Sequence, residues 1–155
     1  MREISVYKCA DTKLEKPFRI LVCGASGCGK TEIVKTIVDS NHFATPFDRM
    51  IYCYPSYLEE APVEFDQIIE YRPGTLDMDY LSSLPQNSLI ILDDMMDECA
   101  KSDDIMILFM NMARKKNISI FLITQNLYYP GKFSKFFKKK FYINFYIVYY
   151  IIYIE

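Results

Sequence analysis

Tryptophan is missing from this 155-residue chain, histidine appears once, at His42, and glycine only five times. The cysteines at 9, 23, 28, 53 and 99 contain no CxxC pair. With a single histidine that leaves no zinc-ligand pattern, and the cysteines read as small reduced side chains, those at 23 and 53 inside buried strands. Charge of either sign is also not in excess: 18 basic and 20 acidic side chains give a formal charge of −2. Net charge therefore gives no push toward nucleic acid, although a local basic patch remains compatible with it. Met1-Arg2-Glu3 leads into a mixed polar segment with no apolar h-region, so no signal peptide is expected and the chain reads as intracellular. What is abundant is apolar surface, 51% of residues, which argues against disorder in a chain of one-domain size.

The sequence has two compositional zones. Up to about Gly131 it is punctuated like an α/β domain, whereas residues 136–155 read FFKKKFYINFYIVYYIIYIE, almost without turn signals. The apolar stretch from Phe141 to Ile154 falls short of the roughly 20 residues that cross a bilayer as a helix, so no clear membrane partner is expected. This tail is compatible with a buried last strand, with a spurious C-terminus of the kind AT-rich DNA encodes, or with a membrane-associating segment. The division expected is a domain over 1–135, its core starting near residue 18, followed by an atypical tail over 136–155.

Within the first zone, apolar runs alternate with helical patterns. Ile20–Cys23, Arg49–Tyr54, Ser88–Leu92 and Ile118–Ile123 read as strands, with Gln67–Tyr71 as a further short one. Lys30–Ser40 carries Ile33, Val34, Ile37 and Val38 at helical spacing; Leu76–Leu84 and Asp103–Arg114 are further expected helices, the last with Ile105, Leu108, Phe109 and Met112 on one stripe. This alternation predicts an α/β fold with a mostly parallel sheet and helices on both faces. Ligands of such sheets bind at the carboxyl ends of the strands.

The informative motifs stand at those ends. Gly24-Ala25-Ser26-Gly27-Cys28-Gly29-Lys30-Thr31 matches GxxxxGK[ST] between a strand and a helix, the pattern of a phosphate-binding P-loop. Its glycines let successive N–H groups face phosphate oxygens, and the helix adds its positive end. Lys30 is then the residue for the β- and γ-phosphates of ATP, and the Thr31 hydroxyl a ligand for Mg²⁺. Leu89–Leu92 delivers Asp93 and Asp94 to the next such end. Asp93 suits Mg²⁺, and Asp94 suits the orientation or deprotonation of attacking water, with Glu98 a weaker candidate for the same role. Many such ATPases carry Glu where Asp94 stands, one methylene longer. The alternative for all three is a solvated acidic turn. Gln125, in Thr124-Gln125-Asn126, reads either as a group touching the attacking water or sensing the γ-phosphate, or as a polar residue beginning a loop, with Asn126 a turn cap. Arg114, in Arg114-Lys115-Lys116, reads either as a helix C-terminal charge or as a group reaching a neighbour's γ-phosphate or DNA. Lys132, Lys135 and Lys138–Lys140 read as a solvated basic face or, alternatively, as a phosphate-contacting group.

Together, FRILVCGASGCGKTEIV (18–34), FDRMIYCYP (47–55), NSLIILDDMMDE (87–98) and LFMNMARKKNISIFLITQNLYYPGKFSK (108–135) resemble the additional-strand P-loop NTPases. Among these the likeness is to HerA/FtsK-type DNA-packaging ATPases of large DNA viruses and Polinton/Maverick elements. The resemblance implies Lys30 and Thr31 as the phosphate-loop pair, Asp93 and Asp94 as the Mg²⁺ and catalytic acids, Gln125 as polar sensor and Arg114 as a trans-acting arginine. It further implies a homo-oligomeric ring that drives double-stranded DNA, with capsid or portal components as further partners, in a virion, host nucleus or host cytoplasm. Past the YPGK turn the family pattern of a strand and a basic segment is replaced by the Phe/Tyr/Ile tail. Two other functions compete with the motor: a small nucleotide or metabolite kinase, and an inactive nucleotide-binding relic.

Overall fold

The computed structural model describes residues 13–108, 111 and 113–125. The tail, the basic group from Lys132 on, Asn126, Cys9, Phe109 and Met112 lie outside the described residues. Five strands, β1 (Arg19–Cys23), β2 (Arg49–Tyr54), β3 (Glu70–Pro73), β4 (Ser88–Asp93) and β5 (Ser119–Thr124), form one sheet. Its order is β1-β5-β4-β2-β3, and every pairing is parallel. Strand β5, last in the chain among these, therefore lies between β1 and β4, in register with both: Ile123 faces Val22 on one side and Asp93 on the other.

Parallel strands covered on both faces need apolar residues in both alternating positions, and β4 and β5 are buried along their whole length. One set of positions, including Ile20, Val22, Tyr52, Leu89, Ile91, Phe121 and Ile123, packs with Val34 and Val38 of helix α1 (Lys30–Asp39). The other set, including Leu21, Ile51, Ile90, Leu92 and Leu122, packs with residues of the remaining helices. Those helices are α2 (Met78–Ser83), α3 (Met96–Cys99), α4 (Asp103–Ile107) and α5 (Ala113–Lys115). No helix among the described residues is long and apolar enough to cross a membrane.

The elements differ from expectation in four places. β3 begins at Glu70 rather than Gln67: its pairing with β2 starts at Ile51 opposite Glu70, the Arg49 and Glu70 side chains form an ion pair beside it, and Ile68 is 96% exposed in the preceding loop. α2 is shorter than Leu76–Leu84: Asp77 is its N-cap, accepting from Tyr80 N at 2.8 Å. The buried Leu76 just before the cap and Leu81 four residues after it belong to one core cluster, the geometry of a hydrophobic staple. The acidic turn after β4 contains a helix, α3, that the apolar spacing did not announce. The helix expected over Asp103–Arg114 is given by two shorter ones, α4 and α5; of its stripe, Ile105 and Leu108 are fully buried, while Ser102 caps α4 by accepting from Ile105 N.

Candidate phosphate and metal site

At the carboxyl end of β1 the chain must turn away from the sheet and start α1 within six residues. Gly27 and Gly29 make this possible with φ of 74° and 84°, values that side chains with a Cβ disfavour. Gly24 has a different reason to be glycine: a Cβ there would sit 2.8 Å from the Cys28 sulfur. Gly24 N also donates to Thr124 O at 3.3 Å, fixing the start of the loop on the end of β5. Ala25, Ser26 and Gly27 lie at its crest, with Ser26 among its exposed residues. Lys30 folds back over the loop and donates from Nζ to Ala25 O at 2.7 Å. Cys28 and Cys23 are partly exposed beside it, so Cys23, expected in a buried strand, instead ends that strand at its open edge; Cys53 and Cys99 are buried and all four are free.

The alternation along β4 puts Asp93 on the same face as Leu89 and Ile91, the face covered by α1. Thr31, in the first turn of that helix, donates from Oγ1 to Asp93 Oδ2 at 2.7 Å, joining residues 62 apart in sequence. Tyr52 of β2 lies beside Ile91 in register, and its phenol donates to the same Oδ2 at 2.6 Å. Asp93 is only 5% exposed. Burial raises its pKa above the ordinary carboxylate value, against the Tyr52 and Thr31 hydrogen bonds that lower it; the Asp94 charge raises it further and Lys30 lowers it. Burial first, and then the Asp93 charge, push the Tyr52 phenol far above its ordinary value, so it remains a proton donor.

Asp94 points elsewhere. It is exposed, with φ of 52°, and its N–H donates to Ile123 O at 3.0 Å. Asp and Asn are the side chains that enter this left-handed region most readily, which gives a local reason for Asp rather than Glu at this position. Its Oδ2 accepts from Gln125 Nε2 at 2.8 Å, so Gln125 holds Asp94 across the ends of β4 and β5. The loop Gly24–Thr31, Asp93, Asp94 and Gln125 thus gather at one end of the sheet.

Two candidates make other contacts. Glu98, on α3, accepts at Oε1 from Ser56 N at 2.8 Å and from Ser56 Oγ at 3.0 Å. Its carboxylate ties α3 to the turn after β2 rather than joining Asp93 and Asp94. Arg114 lies on α5, before β5 begins, whereas Gln125 follows β5. Six residues of strand separate those ends by about 20 Å, so Arg114 stands at the sheet end opposite the Gly24–Thr31 loop of its own chain. It is exposed there beside Arg19, whose pKa is lowered by burial and then by the Arg114 charge. Lys116 is structural, donating to the carbonyls of Leu81, Ser82 and Leu84 and closing the C-terminal end of α2.

Thr31 and Asp93 supply hard oxygen donors, the chemistry Mg²⁺ prefers. Among the described residues no three His, Cys, Asp or Glu side chains gather as a metal cage. One carboxylate and one hydroxyl suit an ion that completes its shell with water and phosphate oxygens, as Mg²⁺ commonly does. Tyr52 was not singled out in the sequence. A tyrosine in the middle of an otherwise apolar buried run was the available signal, because a buried phenol requires a partner. The chain matches no family model, no curated protein and no solved structure.

Proposed function

We propose that this chain is an additional-strand P-loop ATPase that binds ATP with Mg²⁺ at Gly24–Thr31. On this reading it works as a subunit of a ring that moves or packages double-stranded DNA. The observation that carries the nucleotide reading is the 2.7 Å bond between Thr31 and Asp93. It brings the hydroxyl of a phosphate-loop pattern onto a carboxylate at the end of a different strand, where a metal–phosphate complex would need both. The position of β5 between β1 and β4 supports the class, since a strand inserted between the phosphate-loop strand and the acidic strand is its namesake.

The residues divide the work as follows. The loop N–H groups and the start of α1 hold phosphate oxygens. Lys30 exchanges its hydrogen bond to Ala25 O for phosphate. Thr31 and Asp93 would hold Mg²⁺, which supplies neutralisation of the phosphate charge. Asp94, exposed and held by Gln125, orients water or takes its proton. Arg114 acts outside its own site, on a neighbouring subunit's nucleotide or on the DNA backbone, which its position at the opposite sheet end favours. Capsid or portal contacts and a virion setting follow only from the motor reading. Against the small-molecule kinase stands Arg72. It is the single arginine between Tyr57 and Tyr80, and it pairs with Glu70 and lies 3.9 Å over the Tyr80 ring instead of in an acceptor site.

The test is steady-state ATP hydrolysis by the full chain with and without double-stranded DNA, beside Lys30→Ala. Turnover that rises with DNA and disappears in the variant supports the motor. Nucleotide binding without turnover favours the relic, and phosphate transfer to a small acceptor favours the kinase.

A further inference from the structure

Two donors meet on one oxygen of Asp93, from different elements. Thr31 approaches Oδ2 from α1 at 2.7 Å and Tyr52 approaches it from β2 at 2.6 Å. Two directed donors occupy the lone pairs of that oxygen and set the rotation of the carboxylate. Both of these bonds fall on Oδ2, which leaves Oδ1 as the oxygen that neither donor engages.

The two donors are not equivalent. Thr31 stands at the phosphate loop and is partly exposed, open to whatever the loop binds. Tyr52 is fully buried, with ring centroids of Phe65 at 5.3 Å and Tyr71 at 5.9 Å. The Tyr71 hydroxyl in turn accepts from Phe65 N at 2.8 Å, fixing the cage around the Tyr52 ring. Packing does not explain the Tyr52 hydroxyl, since phenylalanine would fill the ring's place. A buried hydroxyl is a cost unless it is hydrogen-bonded, and this one donates to Asp93.

Resting on the nucleotide reading above, we infer that Tyr52 is a positioning residue, the permanent partner that holds the Asp93 carboxylate oriented toward the metal ion of a metal–nucleotide complex. It touches neither nucleotide nor metal. Partners of this kind fix the direction of a ligand that would otherwise swing on its own side chain.

The experiment measures equilibrium binding of ADP to the full chain with and without Mg²⁺, for wild type, Tyr52→Phe and Tyr71→Phe, together with thermal unfolding in chelator. In Tyr52→Phe, ADP affinity without Mg²⁺ stays at the wild-type value, while the gain conferred by Mg²⁺ falls by about tenfold or more. Tyr71→Phe lowers the melting temperature but keeps the Mg²⁺ gain, because its hydroxyl serves Phe65 and not Asp93. A full Mg²⁺ gain in Tyr52→Phe overturns the assignment. So does an equal loss in Tyr71→Phe, which would reduce the effect to ring packing, and so does a Tyr52→Phe chain that no longer unfolds cooperatively. Wild-type protein that gains nothing from Mg²⁺ overturns the nucleotide reading itself, and this role with it.

Discussion

Replacing Asp93 with asparagine separates what this carboxylate does for the fold from what it does for a ligand. Asp93 is 5% exposed and accepts two hydrogen bonds at Oδ2. Asparagine retains an oxygen that can accept both, but turns charge-assisted bonds into neutral ones, a loss of about 1 kcal/mol each. Against this, removing a poorly solvated charge relieves a penalty of several kcal/mol. The balance is a metal-free variant at least as stable as wild type at neutral pH, by up to about 2 kcal/mol, or roughly 4–8 °C in melting temperature for a chain of this length. The pH dependence has a definite sign. The folded-state pKa of Asp93 is raised, so the folded state binds the proton more tightly than the unfolded state does. Its contribution to stability is greatest below the ordinary carboxylate value and is lost as pH rises through the raised value. Asparagine lacks that slope. In chelator, the melting temperature of Asp93→Asn minus that of wild type should therefore grow as pH rises above the ordinary carboxylate value. A difference that shrinks or turns negative over that range would refute the reasoning, because it would make the ionised carboxylate a net stabiliser. The same variant should lose any stabilisation by ADP and Mg²⁺ together.

Other substitutions probe the neighbouring parts. Glu98→Ala should lower stability by about 1 kcal/mol through loss of the Ser56 bonds, with ATP turnover near wild type; a large drop in turnover at unchanged stability would restore Glu98 to the catalytic group. Lys116→Met removes the donor to three carbonyls at the end of α2 and should cost about 1–2 kcal/mol in denaturant unfolding without affecting nucleotide binding. Gly29→Ala places a Cβ at φ of 84° and should cost about 1–2 kcal/mol while weakening phosphate binding, both read by unfolding in the presence and absence of ADP. Asp94→Asn should bind ATP as wild type does and hydrolyse it far more slowly; normal turnover would remove Asp94 from the chemistry.

The features legible in the sequence are those that local pattern controls. Strands β1, β2, β4 and β5 lie within a residue of the apolar runs that announce them, because strands buried on both faces must be apolar throughout. The turn between β1 and α1 was legible because its glycines answer to backbone geometry, and Gly27 and Gly29 have the positive φ it needs. Less legible were features set by contacts between distant segments. β3 starts later than its apolar run because its extent is set by pairing with β2, from Ile51 opposite Glu70, and α3 arises where the spacing indicated only an acidic turn. Glu98 and Asp93 are both acids near the end of β4, yet one serves Ser56 and the other the loop. Only the position of β2 next to β4 reveals that Tyr52 and Asp93 meet, and strand order is not written in spacing.

The central claim is that Gly24–Thr31 is a nucleotide site completed by Asp93. It is tested most directly by titrating ATP, with and without Mg²⁺, into the full chain and into Lys30→Ala. The account predicts saturable binding that Mg²⁺ tightens in wild type and that is lost in a variant whose melting temperature is unchanged. Absence of binding in wild type, or equal binding in Lys30→Ala, would contradict it.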